Sequence, residues 1–346
     1  MSDQKDLNTI LHEITGELTG DPDRDIPYLK SQIEKYKNHE LGKEIVRACG
    51  RLMFDLIPED RKEALAQVIR NERSAINATL EEVRFNIFKK DFAKALTIIE
   101  ALAEKIESSN AFEDDQASAY FVFDEFFEQM IYAFRYKPEK TIRPAQVPYT
   151  EIYMLYGSLL FEMKRYDEAR IILKKGLRWN PVSFRLMTEY AETFKAAGDL
   201  EQYYSLVLDT FKIAFRPKDV GRCFRNLGYY FIEKQLYSEA MSAYLLSLQF
   251  DPDSAMAKSE MYYISTKTKK GFRRPTADQI KEYARQYGFP LGADRDILGI
   301  AVTNGKLCLS RNNVEAARYF LTIFYDLTKD EEVRRMIDGL PTGPQA

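Results

Sequence analysis

The run Tyr153-Met154-Leu155-Tyr156-Gly157-Ser158-Leu159-Leu160, continued by Tyr166-Asp167-Glu168-Ala169-Arg170-Ile171-Ile172-Leu173 and closed by Pro181, decides the fold, because it comes back. Tyr153, Gly157, Leu160, Tyr166, Glu168, Ala169, Leu173 and Pro181 are answered 71 residues later by Phe224, Gly228, Phe231, Tyr237, Glu239, Ala240, Tyr244 and Pro252, as the subtraction 228 − 157 shows. That offset is close to two steps of about 34, so a worn copy is expected between the two. Phe194, Ala197-Gly198-Asp199 and Val207 fall where it predicts, with Pro217 closing a slightly lengthened unit. A repeat of this size implies an array of helical hairpins, each burying its apolar face against its neighbours.

At Tyr153-x-x-Tyr156-Gly157-x-x-Leu160, Tyr166-x-x-Ala169-x-x-x-Leu173 and Pro181, and again at Phe224 to Pro252, the chain resembles the tetratricopeptide repeat. The resemblance implies an all-α fold, a right-handed α-α superhelix, with three units at about 150–183, 184–219 and 220–253. The small residues Gly157, Gly228, Ala169 and Ala240 let paired helices approach, and large flanking side chains fill the gap. The middle unit departs from the pattern, with Ala191 in place of the usual glycine and Tyr203 in place of the usual alanine.

Around these units the periodicity predicts helices at 7–18, about 26–38, 41–56, 59–89 and 91–107. The pair 73–107 reads as a cryptic repeat with Ala95 in the small-residue role. Residues 114–136 are expected to form one aromatic helix, with Tyr120, Phe123, Phe127, Met130 and Phe134 sharing a face. Pro138, Pro144 and Pro148 make 137–148 a loop and a boundary, so residues 1–147 stand as a helical N-terminal region. Residues 253–346 should hold C-terminal helices: a short one capped by Thr276, a degenerate repeat at 293–327 keeping Gly305, Ala317 and Leu321, and a covering helix near 329–338. The segment Lys267–Pro275 is a basic, solvated loop.

Composition narrows the function classes. Of the 346 residues 45% are apolar and 30% charged, and the net charge is −3, which argues against a nucleic-acid binder relying on a global basic field. The first thirty residues hold no apolar stretch of signal-peptide length, and no eighteen apolar residues run together. Cys49, Cys223 and Cys308, far apart and odd in number, read as small buried hydrophobes in a reducing compartment. The cytoplasm is the expected location. His12 and His39 have no metal-ligand spacing around them, and neither Gly42-Lys43 nor Gly305-Lys306 has the upstream glycine of a phosphate loop. No cofactor, metal or catalytic constellation is expected.

The expected function is therefore binding, without catalysis. The resemblance places first-helix side chains on the concave surface: Glu151, Met154, Ser158 and Phe161; then Arg185, Thr188, Glu192 and Lys195; then Arg222, Arg225, Asn226 and Tyr229; with Lys306 further on. Arginine, asparagine and tyrosine there suit a peptide carboxylate or backbone. The two-carboxylate clamp of the chaperone-docking members is not kept, since Met154, Ser158, Glu189, Arg222 and Asn226 stand at its places. The competing reading of the arginines is exposed ion pairing with Glu189, Glu192 and Glu233. The leading reading is an adaptor gripping a peptide or partner helix, with homo-oligomerisation open. Two alternatives are a peptide-sensing regulator, for which residues 1–60 show no recognition helix, and an enzyme built on the N-terminal helices.

Overall fold

A computed structural model describes residues 7–56, 59–109, 112–268 and 273–341. Pro58, expected to open the long helix, and Lys269–Phe272 of the basic loop lie outside the described residues. The chain is all-α in character, and its residues fall into two compact units, Met1–Val122 with Pro138–Ile152, and Phe123–Lys137 with Tyr153–Ala346.

In chain order the elements are α1 (Leu7–Gly16), α2 (Pro22–Tyr36), α3 (Gly42–Leu56), α4 (Glu59–Phe88), α5 (Phe92–Ser108), β1 (Ser118–Phe121), α6 (Phe126–Tyr136), β2 (Thr141–Pro144), α7 (Tyr149–Glu162) and α8 (Tyr166–Trp179). Next come α9 (Phe184–Ala196), α10 (Leu200–Phe211), α11 (Pro217–Glu233), α12 (Tyr237–Phe250), α13 (Ala255–Lys267), α14 (Ala277–Tyr287), α15 (Arg295–Ser310), α16 (Val314–Thr328) and α17 (Glu331–Asp338).

In the first unit α1, α2 and α3 enclose a small core of Leu7, Ile10, Ile14, Leu29, Leu41, Ile45 and Cys49. The Thr19–Pro22 stretch both stops α1 and starts α2. Asp21 caps Asp23, Pro22 takes the first helical position, where its missing N–H is no loss, and the buried Asp25 carboxylate accepts from the backbone of Thr19 and Gly20.

The expected single helix over 114–136 is not formed. Asp115 Oδ1 accepts from the amides of Ala117 and Ser118, and Asp114 Oδ1 accepts from Tyr120 N, so side-chain carboxylates satisfy donors that a helix would have used. Residues 118–121 become β1, which pairs in parallel with β2 in the register Ser118↔Thr141 to Phe121↔Pro144. The expected loop at 137–148 thus contributes a strand. The helix begins only at Phe126, where Glu128 Oε2 accepts from the amides of Asp124 and Glu125. Its buried face carries Phe127 and Ile131, whereas Phe134, placed on the apolar stripe by sequence, is 50% exposed.

The second unit is a succession of antiparallel helix pairs, and the hairpin α4/α5 of the first unit obeys the same local rule. The glycines act as expected. A Cβ on Gly157 would lie 2.5 Å from Leu173, one on Gly228 2.7 Å from the Tyr244 ring, and one on Gly305 2.7 Å from Leu321. Each partner sits 16 positions on. The same spacing links Ala191 to Val207 and Val83 to Ile99, all four fully buried. Seven positions after the first-helix residue of each pair (Val83, Gly157, Ala191, Gly228 and Gly305), Lys90, Lys164, Gly198, Gln235 and Asn312 have φ between 56° and 79°. The next amide bonds back five residues in every case: Asp91 to Asn86, Arg165 to Leu160, Asp199 to Phe194, Leu236 to Phe231 and Asn313 to Cys308, at 2.8–2.9 Å. This left-handed closure of the first helix leads directly into the second, whose amides Asp91, Asp199 and Asn313 cap with their side chains.

The worn middle pair keeps its packing. Ala191 and Tyr203 are both fully buried, and the Tyr203 hydroxyl donates to the carbonyl of Asn226 on α11 at 3.4 Å. Pro217 corrects the expectation, since it opens α11 at its first position instead of following a helix end. Phe231 packs on Tyr287 and Phe289, and the buried Ile297, Ile300, Phe320 and Leu327 belong to the same core. Thr276 caps α14 as anticipated, with Gln279 completing a reciprocal box. Cys49 and Cys223 are buried, but Cys308 is only half-buried.

Two predictions arise from this packing. Gly157→Val should cost about 1–3 kcal/mol by overpacking against Leu173. Combining it with Leu173→Ala should cost about 1 kcal/mol or more less than the two single effects summed, as urea unfolding would measure. The second concerns Glu128. Burial raises its carboxyl from 4.5 to about 7, against hydrogen bonds from Asn180 and two amides and with the Asp124 charge adding to the rise. The folded state therefore holds a proton that the unfolded state releases, and this contribution to stability is lost as pH rises from about 4.5 through 7. Glu128→Gln should raise the denaturation midpoint above pH ~7 and leave it unchanged below ~4.5.

Candidate functional site

The first helices α7, α9 and α11 present the residues singled out by sequence, and the structure sorts them sharply. Met154 and Ser158 are half-buried on α7, and the Phe161 ring meets Tyr166 at 5.3 Å. Glu151 is engaged by Arg84 at 2.5 Å. On α9, Arg185 is exposed. Thr188, expected on the open surface, is fully buried, and its hydroxyl donates back to the carbonyls of Phe184 and Arg185. A short side chain on a packed helix satisfies itself this way, so Thr188 is no ligand contact. Lys306 is exposed on α15.

Charge on α9 and α11 is largely neutralised in place. Glu192 pairs with Lys195 at 2.9 Å, and Glu189 accepts from Arg222 at 3.3 Å. Arg225 reaches Asp251 at 2.9 Å and Ser247 Oγ at 3.3 Å, at the end of α12. The ion-pair reading of the arginines thus holds for Arg222 with Glu189, while Glu192 serves Lys195 and Arg225 finds a partner that sequence spacing did not indicate. Asp251 follows α12 directly, a C-terminal position that could have been read from Asp251-Pro252.

Three aromatic and amide groups form the floor between these pairs. Lys195 Nζ lies 4.2 Å above the Tyr229 ring, a cation–π distance, and Tyr229 meets Tyr203 edge-on at 6.0 Å. Burial, together with Glu233, raises the Tyr229 phenol. Burial raises Tyr203 further. Asn226, 9% exposed, holds a side-chain amide nitrogen that is buried and has no hydrogen-bond partner. Sequence reasoning missed Tyr203, which comes from a second helix; its appearance where alanine is usual was the available signal. Chemically the face offers a buried amide donor, an aromatic wall and an exposed cation at Arg185. Among the described residues no group of three or more His, Cys, Asp or Glu could hold a metal ion, and no helix is long and apolar enough to cross a membrane.

Residues 150–183 match the family described as tetratricopeptide repeat. That stretch, formed by α7 and α8, is a tetratricopeptide repeat within the chain. Among curated proteins none matches it in sequence. Two solved structures are similar in part. PilF of Pseudomonas aeruginosa is 12% identical, with 77% of this chain and 98% of that chain covered and a TM-score of 0.41. YrrB, a tetratricopeptide-repeat protein with an unusual peptide-binding site, is 11% identical, with 62% and 99% covered and a TM-score of 0.30.

The two arginine pairs should differ in weight. Arg222 and Glu189 are 37% and 26% exposed, Arg225 and Asp251 only 14% and 19%. Arg222→Ala is expected to cost under about 1 kcal/mol, and Arg225→Ala about 2–3 kcal/mol because it strands a half-buried carboxylate. Chemical denaturation of the two variants would show the ordering.

Proposed function

We propose that this protein is a non-catalytic cytoplasmic adaptor whose first-helix face on α7, α9 and α11 grips an extended peptide segment of a partner protein. The observation that carries this reading is Asn226. Its buried amide nitrogen lacks an acceptor among the described residues, while Glu189, Arg222, Glu192, Lys195 and Arg225 on α9 and α11 are engaged in ion pairs. A buried donor without a partner costs about 1–3 kcal/mol, and the carbonyl of an extended peptide is an acceptor of the right kind. In this reading Met154, Ser158, Arg185, Glu192, Arg222, Arg225 and Tyr229, on the same three first helices, are the rest of the gripping face. The half-buried Arg225 acts chiefly by holding Asp251, and Arg185 supplies attraction for an acidic residue or a terminal carboxylate.

The reading includes three units at 150–183, 184–219 and 220–253, with the pairs at 73–107 and 293–327 as further hairpins of the same type. The shared turn geometry and 16-residue spacing support it.

Selection of a random peptide library on the purified full chain, followed by calorimetry, tests the proposal. Asn226→Ala removes no internal hydrogen bond of the amide nitrogen, so it should leave the melting temperature close to the native value. It should weaken the selected peptide by about tenfold or more. Equal affinity in the folded variant, or no peptide enriched by the native chain, would remove the proposal.

A further inference from the structure

The first unit holds a cleft that the peptide-binding reading does not use. It has a volume of about 700 Å³ and is lined by residues of α1 and α3 together with Tyr120 and Arg143. Three arginines line it, Arg47, Arg51 and Arg143, against one lining carboxylate, the exposed Asp55.

The three arginines are not equally satisfied. Arg47 donates to the Glu113 carbonyl, lies 3.7 Å from the Asp115 carboxylate and 3.8 Å from that of Glu113, and sits 6.0 Å from the centre of the Tyr120 ring. Arg143 is oriented by its Nε, which donates to Ser118 Oγ at 2.9 Å and leaves its terminal nitrogens aimed elsewhere. Arg51 has a terminal nitrogen that is buried and has no hydrogen-bond partner among the described residues. It stands one helical turn from Arg47, where like charges repel. A guanidinium cannot shed its proton to relieve this, as a buried lysine can. Among the described residues, Arg51 thus keeps an unused donor and Arg143 is bonded through Nε, beside a cleft whose volume suits a small molecule.

We infer that this cleft binds a small organic anion, its phosphate or carboxylate group held by Arg51 and Arg143 and its apolar body lying against Leu11, Leu52 and the Tyr120 ring. Arg47, already engaged by Asp115, adds positive potential and holds Tyr120 in place. Planar forked donors match either oxyanion, and the apolar wall selects an anion with a hydrocarbon or aromatic body over a bare ion.

Thermal unfolding and calorimetry of the full chain with phenyl phosphate, phenylacetate and inorganic phosphate test the assignment, with matched sodium chloride as the ionic-strength control. Native protein should show a saturable rise in melting temperature with phenyl phosphate or phenylacetate, exceeding that with inorganic phosphate. The stronger of the two organic probes identifies the oxyanion. Arg51→Met keeps the aliphatic stem, removes the unpartnered donor and should melt at or above the native temperature without ligand. It should bind about tenfold or more weakly, and Arg143→Met, as an independent variant, should show the same loss. Arg285→Met, outside the cleft, should bind as native does. The inference is overturned if the native chain responds to no probe beyond the salt control, or if both arginine variants bind with native affinity.

Discussion

Two antiparallel helices joined by three residues bury a seam only if their axes come close, and closeness in this protein is set by one contact per hairpin. At that contact the first helix gives up side-chain volume so that the second can use it. Gly157 admits Leu173, Gly228 admits the Tyr244 ring and Gly305 admits Leu321, each within a distance no Cβ would tolerate. Where that position is alanine, the residue 16 places on is Val207, a smaller group, and both are fully buried. The contact fixes the rotation of both helices about their axes, and so determines which first-helix residues face their own partner and which are left to face outward. The turn follows from the same constraint, since the chain must reverse within three residues, and a single left-handed residue lets the last carbonyls of the first helix be satisfied while the second begins.

The polar groups of the candidate face are understandable from this geometry. Outward-facing charges on α9 and α11 lie within reach of each other, so Glu189, Arg222, Glu192 and Lys195 are consumed pairwise. Asn226 differs because its amide nitrogen is buried on the same helix as Tyr229 and meets no acceptor among the described residues. A buried donor without an acceptor is a departure from the near-complete pairing usual in folded proteins. It is the kind of departure that a partner's backbone would resolve.

Much of the fold was legible because it repeats. Gly157 and Gly228 with their matched neighbours defined hairpins from spacing alone, and Gly305, Ala317 and Leu321 carried the pattern to α15 and α16. Legibility failed where local hydrogen bonding overrode periodicity. Residues 114–121 have an apolar run compatible with a helix, but the carboxylates of Asp114 and Asp115 capture the amides that would have nucleated it. At the candidate face the sequence placed Asn226 and the arginines on the right helix. It could not show that Thr188 bonds to its own backbone, nor that Arg225 turns to Asp251, since both depend on side-chain rotamers and on a contact 26 residues away. The arginine cleft was invisible for a simpler reason. Arg51 and Arg143 are 92 positions apart and belong to no repeating motif.

The volume matching inside each hairpin has a consequence for how such a chain can change over evolutionary time. Gly228 faces Tyr244, and at the same 16-residue spacing Val83 and Ile99, and Ala191 and Val207, are fully buried. A crossover breakpoint falling between two helices of a pair would set Val83 against a tyrosine, or leave Gly228 above a valine and a void. Breakpoints falling between pairs leave every match intact. Duplication, loss and shuffling are thus steered toward whole hairpins, and a partner surface drawn from several first helices can be rebuilt by exchanging modules while their interiors stay unaltered.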